Sequence, residues 1–250
     1  MTDVDGVRYM HRCEVTSTNT YAKELLAAGI DLPDVTVISA DFQTGGRGQR
    51  GNTWESERGQ NLTFSLVCHP SWVAAHHQFV LSQAIAVAVS QTLSKYVDGI
   101  SVKWPNDIYW HDLKLCGILI ECNLVGSAVA DCIIGVGLNV NQTAFVSDAP
   151  NPVSLAQIIG MTVNRDALLH AVVSRFMALY AALHQGGAEA LQAEYMGRLY
   201  RRTGMFRYRS RDGVEFMAET VGVEPTGHLV LRHADGEVVH YEFKEISFVI

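Results

Sequence analysis

The stretch TGGRGQRGNTW, residues 44–54, decides which kind of α/β protein this chain can be. Gly46, Gly48 and Gly51 satisfy the G-x-G-x-x-G spacing of a dinucleotide-binding turn. That spacing carries meaning only between a strand and a helix, with an acidic residue about 20 positions further on. Upstream, DVTVISADFQ (34–43) alternates and is β-branched, as a strand is. Downstream, NTWESERGQN (52–61) has no apolar helical stripe and runs into LTFSLVC (62–68), a second strand pattern. The Rossmann reading therefore fails on context. What remains is a long loop between two strands, holding Gly45, Gly46, Gly48 and Gly51 beside Arg47 and Arg50.

Such a loop has two readings. Glycines let a backbone take positive φ and turn its N–H groups toward an anion, and arginine adds a rigid donor fork for carboxylate or phosphate. The other reading is a mobile surface loop with solvated arginines. No Lys-Ser/Thr pair follows the last glycine, so this is not a Walker A loop.

Outward from the loop, GVRYMHRCEV (6–15) reads as a strand and TSTNTYAKELLAAG (16–29) as a helix capped by Ser17, Thr18 or Asn19 and ended by Gly29. The alanine-rich, charge-poor segment 74–97 predicts a long helix on a sheet. ISVKWPNDIYW (100–110) leaves its strand at Pro105, which has no N–H for a ladder. KLCGILIECNLV (114–125) and AVADCIIGVGLNVN (128–141) predict a hairpin about Gly126-Ser127, and helical patterns return near 154–159, 165–185 and 187–200. From Arg201 the texture changes to short alternating strands with turns at Asp212-Gly213, Pro225-Thr226-Gly227 and Asp235-Gly236. We divide the chain into residues 1–200 and a small antiparallel barrel or sheet over 201–250. At about 45 residues that second unit is too small for an independent core, so it must dock on the first.

At 250 residues, 48% hydrophobic and 18% charged, the composition suits a folded protein with one substantial core. A formal charge of −7 argues against general nucleic-acid affinity. Cys13, Cys68, Cys116, Cys122 and Cys132 form no C-x-x-C pair and mostly sit in apolar runs, as core residues of a reducing compartment do. The polar start MTDVDGVRYMH is not a signal peptide, and no run reaches the roughly 18 apolar residues of a membrane span. The expected location is cytoplasmic.

Two further places can carry chemistry. In KWPND (103–107), Asn106 and Asp107 form either a plain turn or, through Asp107, a hold on Mg²⁺, which takes one or two carboxylates with phosphate oxygens and water. Lys114, before an almost wholly apolar strand, is either a solvated strand end or an ammonium over a pocket floor.

Taken together, STN (17–19), QTGGRGQRGNTW (43–54), VKWPNDIY (102–109), KLCGILIE (114–121) and GVGLNVN (135–141) occur in an order and spacing that resemble the biotin protein ligases. The resemblance covers nearly the whole chain. Lipoate ligases share the fold but generally lack the pairing of GRGxRG…W with KWPND…KLxGIL. The resemblance implies an α+β fold: a mixed β-sheet flanked by helices, as in class II aminoacyl-tRNA and biotin synthetases, with a C-terminal SH3-like barrel. It implies that biotin's carboxylate attacks the α-phosphate of ATP to give biotinyl-5′-AMP. A lysine of a biotin carboxyl carrier domain then takes the acyl group.

By the same resemblance Ser17, Thr18, Asn19, Gln43, Gly46, Arg47, Gly48, Gln49, Lys114 and Gly117 face biotin. Arg50, Asn52, Trp54, Lys103, Asn106 and Asn139 face ATP, with Asn139 at adenine and Trp54 either in the lid or stacked on the base. Arg47, Arg50 and Lys114, with Mg²⁺ at Asp107, are the cations that let two anions meet. A glycine-hinged loop that closes shields the labile anhydride from water.

Two departures stand out. Position 49 is Gln where some members carry an arginine that helps retain the adenylate, and EISFVI (245–250) lacks the basic residue some relatives place there, which puts a nucleotide contact from the barrel in doubt. Arg207, Arg209 and Arg211 share one strand face, either a solvated edge or a surface for an acidic carrier domain. The motifs begin by residue 17, so no DNA-binding domain and no operator binding are expected; a sequence-specific gel shift with a biotin-operon promoter would contradict this. The remaining rivals are a lipoate or other acyl-adenylating ligase, and a biotin sensor without transfer. Monomer and homodimer are both open.

Overall fold

The computed structural model describes residues 2–4, 6–48, 51–147 and 151–250. At its centre is an eight-stranded mixed sheet. Strands β1 (Thr2–Val4) and β2 (Val7–Arg12) form a hairpin, β3 (Thr36–Ala40) lies parallel to β2, and β4 (Leu62–Cys68) runs antiparallel to β3. A meander of β5 (Ile100–Lys103), β6 (Asp107–Trp110), β7 (Leu113–Val125) and β8 (Ala128–Leu138) completes the order β1-β2-β3-β4-β8-β7-β6-β5. The hairpin turn falls at Gly126-Ser127, as expected. Among the described residues no α-helix lies between β3 and β4, in keeping with the rejected Rossmann reading.

Period two gives the sheet two unlike faces. Leu62, Phe64, Leu66 and Cys68 join Cys132, Ile134, Val136 and Leu138 in the main core. That face is covered by α2 (Phe79–Leu93), α4 (Arg165–His184) and α5 (Ala188–Gly197). On the other face α1 (Thr18–Ala27) covers Met10, Ile38, Val67 and Ile133. A short α3 (Leu155–Ile159) is held by a capping box between Ser154 and Gln157 and closed by left-handed Gly160.

The helix expected over 74–97 is shorter. Residues 75–77 form a separate 3₁₀ turn, because the Ala75 N–H is taken by the Ser127 carbonyl at 2.8 Å and tied to the β7–β8 turn. Within α2 every residue from Leu81 to Ser90 is buried, and Ala84, Ala86, Ala88 and Ser90 keep the helix slim where its neighbours pack. By length and mean hydropathy alone, the 20-residue helix α4 could span a membrane. Its apolar stripe of Leu168, Val172, Phe176 and Leu183 is instead buried in the core against α2.

The C-terminal sheet holds β9 (Met205–Ser210), β10 (Glu215–Val223), β11 (Leu229–His233), β12 (Val238–Tyr241) and β13 (Ile246–Phe248) in the antiparallel order β12-β11-β10-β9-β13. Gly213, Gly227 and Gly236 take φ of 85°, 98° and 93° at the three expected turns. The arginine face is not a sheet edge, because β9 pairs on both sides, with β10 and β13. Arg209 and Arg207 are instead held by Glu215, at 2.6 and 3.6 Å, while Arg211 lies beyond the strand. The unit docks as its size requires. Ala218, Val223, Leu229 and Ile246 belong to the main core, and Trp104 donates its indole N–H to the Gly227 carbonyl at 2.9 Å.

Candidate active site

One cavity of about 880 Å³ opens on the α1 face of the sheet, at the upper end of the usual range for small-ligand sites. Its walls come from the start of α1, the glycine loop, β6, β7, β8 and the C-terminal sheet. No single stretch of chain could build it.

At one end the walls are neutral and polar. Ser17 is the N-cap of α1, accepting from the Thr20 N–H at 3.1 Å, and it also lines the cavity. Gln43 Oε1 accepts from the Thr18 N–H at 2.8 Å and from its hydroxyl at 3.2 Å. Ser65 Oγ stands 2.7 Å from Thr18 Oγ1 and 2.6 Å from Asn19 Oδ1. Asn19 then donates to Glu121 Oε2 at 2.9 Å. Four of these residues, Ser17, Thr18, Asn19 and Ser65, are buried, so their hydrogen bonds fix their orientation.

Glu121 joins this network to the loop. Its carboxylate also accepts from Lys23 Nζ at 2.7 Å and from Arg47 Nη2 at 3.0 Å. Burial pushes this acid up, but the hydrogen bonds from Lys23 and Asn19 and the Arg47 charge outweigh that and hold it below its ordinary value. The sequence reading missed Glu121, because an acidic residue two-thirds along an apolar strand reads as an exposed position.

The other end is cationic. Lys114 Nζ donates to Asp107 Oδ2 at 2.6 Å across the β6–β7 pair. Burial brings the Lys103 ammonium down to about 8, opposed by the Asp107 carboxylate and helped by the charges of Lys114 and Arg201. It donates to Tyr109 Oη at 3.0 Å and lies over the rings of Tyr109 and Phe248, 4.6 and 5.3 Å from their centroids. Lys244 adds a third lysine to the cavity wall, in a left-handed conformation of φ 76°. A basic residue of the C-terminal unit, on the connection between β12 and β13, therefore does line the cavity.

The glycine loop is not shaped by positive φ alone. Among its described glycines only Gly51 has one, at 88°. Gly46 is required by a close approach instead, since a Cβ there would sit 2.4 Å from the Trp54 carbonyl oxygen. The loop is pinned by Gly45 N–H to Thr16 O at 2.8 Å, Gly48 N–H to Asn52 O at 2.7 Å and Trp54 N–H to Gly46 O at 3.0 Å. The Trp54 indole lies on the sheet over the paired Gly117 and Gly137, where added Cβ atoms would meet it at 2.9 and 2.4 Å. Gly135 likewise makes room for Asn19, at 2.3 Å from Oδ1. The run GVGLNVN is thus a floor cleared of side chains. Trp54 Nε1 is buried without a hydrogen-bond partner.

Of the expected site residues, Ser17, Thr18, Asn19, Gln43, Arg47, Gly48, Asn52, Trp54, Lys103, Asn106, Asp107, Lys114 and Gly117 line this one cavity. Gln49 and Arg50 lie outside the described residues. Gly46 sits behind the wall, under Trp54. Asn139, expected at adenine, does not line the cavity: its amide donates to the Val153 carbonyl at 3.1 Å and its backbone bridges Leu115 and Leu155. Trp104 lines the rim but spends its N–H on docking the C-terminal sheet.

Residues 11–139, which hold most of this cavity's walls, match the biotin/lipoate A/B protein ligase family. The chain belongs to that family. It is 29% identical over 242 residues to the bifunctional ligase/repressor BirA of Bacillus spizizenii, covering 94% of this chain and 72% of that protein. The chloroplastic biotin–protein ligase 1 of Arabidopsis thaliana is 31% identical over 175 residues, 66% of this chain and 46% of its own. In fold the chain is similar to the biotin protein ligase of Aquifex aeolicus in complex with biotin and ATP, with a TM-score of 0.79 at 23% identity over 96% of this chain and 97% of that one.

Proposed function

We propose that this chain is a biotin–protein ligase, which joins biotin to ATP as the acyl adenylate and passes the acyl group to a lysine of a carrier domain. The carrying observation is a single cavity with a neutral hydrogen-bonding end at Thr18, Asn19 and Gln43 and a cationic end at Arg47, Lys103 and Lys114. Biotin's flat urea head suits the first and its carboxylate the second, where it meets the α-phosphate. Two anions approach each other only where cations offset the charge growing on phosphorus, and Lys114 in the cationic end supplies one. Arg47, now paired with Glu121, is the loop cation that can swing to the substrate carboxylate. Trp54 travels with that loop, and a closed loop keeps water from the anhydride.

Asp107 is the one carboxylate among the described residues that line the cavity, and the described residues hold no cluster of three metal-ligating groups. That donor set fits Mg²⁺ arriving with ATP, which Asp107 would hold. The ion would supply charge neutralisation at the phosphates.

The test is mass spectrometry of a biotin carboxyl carrier domain incubated with the protein, ATP, Mg²⁺ and biotin or lipoate in competition. A biotin adduct on one lysine is expected. Lipoyl transfer would assign the chain to the other branch of its family, and biotin binding without transfer would make it a sensor.

A further inference from the structure

Strand register places three thiols in one row. Cys68 on β4 opposes Cys132 on β8, and Cys132 opposes Cys122 on β7. Directly opposed residues project from the same face of a sheet. Cys68 and Cys132 belong to the main core and Cys122 packs against it, so the row lies on the helix-covered face. Glu121, one residue earlier, points to the cavity side. Ligation makes no use of these sulfurs.

Two of the three are poised to react. Cys122 Sγ and Cys132 Sγ stand 3.1 Å apart and are not bonded. A disulfide brings sulfurs to about 2.05 Å, which a small side-chain rotation achieves between strands already in register. Cys122 is partly exposed near the turn of the β7–β8 hairpin, whereas Cys132 and Cys68 are buried.

We propose that Cys122 and Cys132 are a peroxide-reactive dithiol that closes to a cross-strand disulfide, with Cys122 the thiol that reacts first. The contact with Cys132 holds the Cys122 thiol below its ordinary value, against the effect of burial, and the same contact with burial pushes Cys132 up. The thiolate is the nucleophile, so Cys122 leads. Its sulfur attacks one peroxide oxygen, the O–O bond breaks, and the departing hydroxide takes a proton to become water, leaving a sulfenic acid. Cys132 sulfur then attacks the sulfenic sulfur, the S–O bond breaks, and the second hydroxide leaves as water with the Cys132 proton. Two thiols and one peroxide become one disulfide and two waters. Cys68 stays out, because burial, with Asp34 and Cys122 beside it, pushes its thiol well up.

The test treats the full chain with hydrogen peroxide, blocks remaining thiols with N-ethylmaleimide under denaturing conditions and maps peptides without reduction. The expected product is a Cys122–Cys132 peptide pair two hydrogens lighter than the sum of its parts, reversed by dithiothreitol, with Cys13 and Cys68 still alkylated. Cys122→Ser abolishes the link and leaves ligation rate unchanged. Cys132→Ser, or Cys132→Ala should serine unsettle the core, traps Cys122 as a dimedone-reactive sulfenic acid. A Cys68–Cys132 link, a link to Cys13, or Cys122 still alkylated after Cys13 has oxidised would each overturn the proposal.

Discussion

At the scale of single residues the site is a set of charges whose partners already stand beside them. Lys114 keeps its ammonium 2.6 Å from Asp107, in place before any substrate arrives, and preorganisation of this kind is what makes a cation useful at a developing charge. Lys114→Ala should slow adenylation by roughly 10²–10³, the usual loss for one such donor, measured as single-turnover pyrophosphate release. A change below about fivefold would remove Lys114 from that role. Lys103 carries the pH dependence. Its folded value near 8 lies below the ordinary lysine value of 10.5, so it is charged at neutral pH and loses its proton as pH rises through 8. Affinity for ATP should therefore weaken several-fold between pH 7 and 9, and Lys103→Arg, charged throughout, should flatten the profile. If the two profiles coincide, another group titrates.

At the scale of elements, β7 and β8 meet at Gly117 and Gly137, and the cleared backbone is where Trp54 lies down. The glycine loop and the GVGLNVN run are thus one packed unit, an indole and its seat. Gly137→Ala inserts a methyl group 2.4 Å from the indole and should displace Trp54 at an overpacking cost of about 1–3 kcal/mol. Ligation should fall while the fold survives, and tryptophan emission should shift to the red. Adding Trp54→Ala to that variant should cost little more, since the clash is already gone; independent, additive losses would separate the two residues.

At the scale of the molecule, the C-terminal sheet is a wall of the cavity as well as a docked unit. Phe243, Lys244, Ile246, Ser247 and Phe248 all line it, and Trp104 fastens that sheet through Gly227 while standing one residue from Lys103. Trp104→Ala should cost about 3–5 kcal/mol of stability, as large aromatic truncations in cores do, and raise the KM for ATP more than that for biotin. Thermal unfolding and the two KM values check this. An unchanged midpoint would mean the sheet is held elsewhere.

Strands β3, β4, β7 and β8, the β7–β8 turn and the three C-terminal turns were legible in the chain, because period-two alternation and glycine turns are local properties. So were the loops that line the cavity, since the glycine loop, KWPND and the start of β7 were the candidates the residue types offered. The sequence by itself determined the strands, the turns and which loops were candidates for a site. Only the tertiary structure decided that Glu121 faces Arg47, that Asn139 stands behind the wall, that Lys244 reaches the cavity, and that β9 is an interior strand. Each of those facts depends on which strands lie side by side, and that is settled by the packing of segments far apart in the chain.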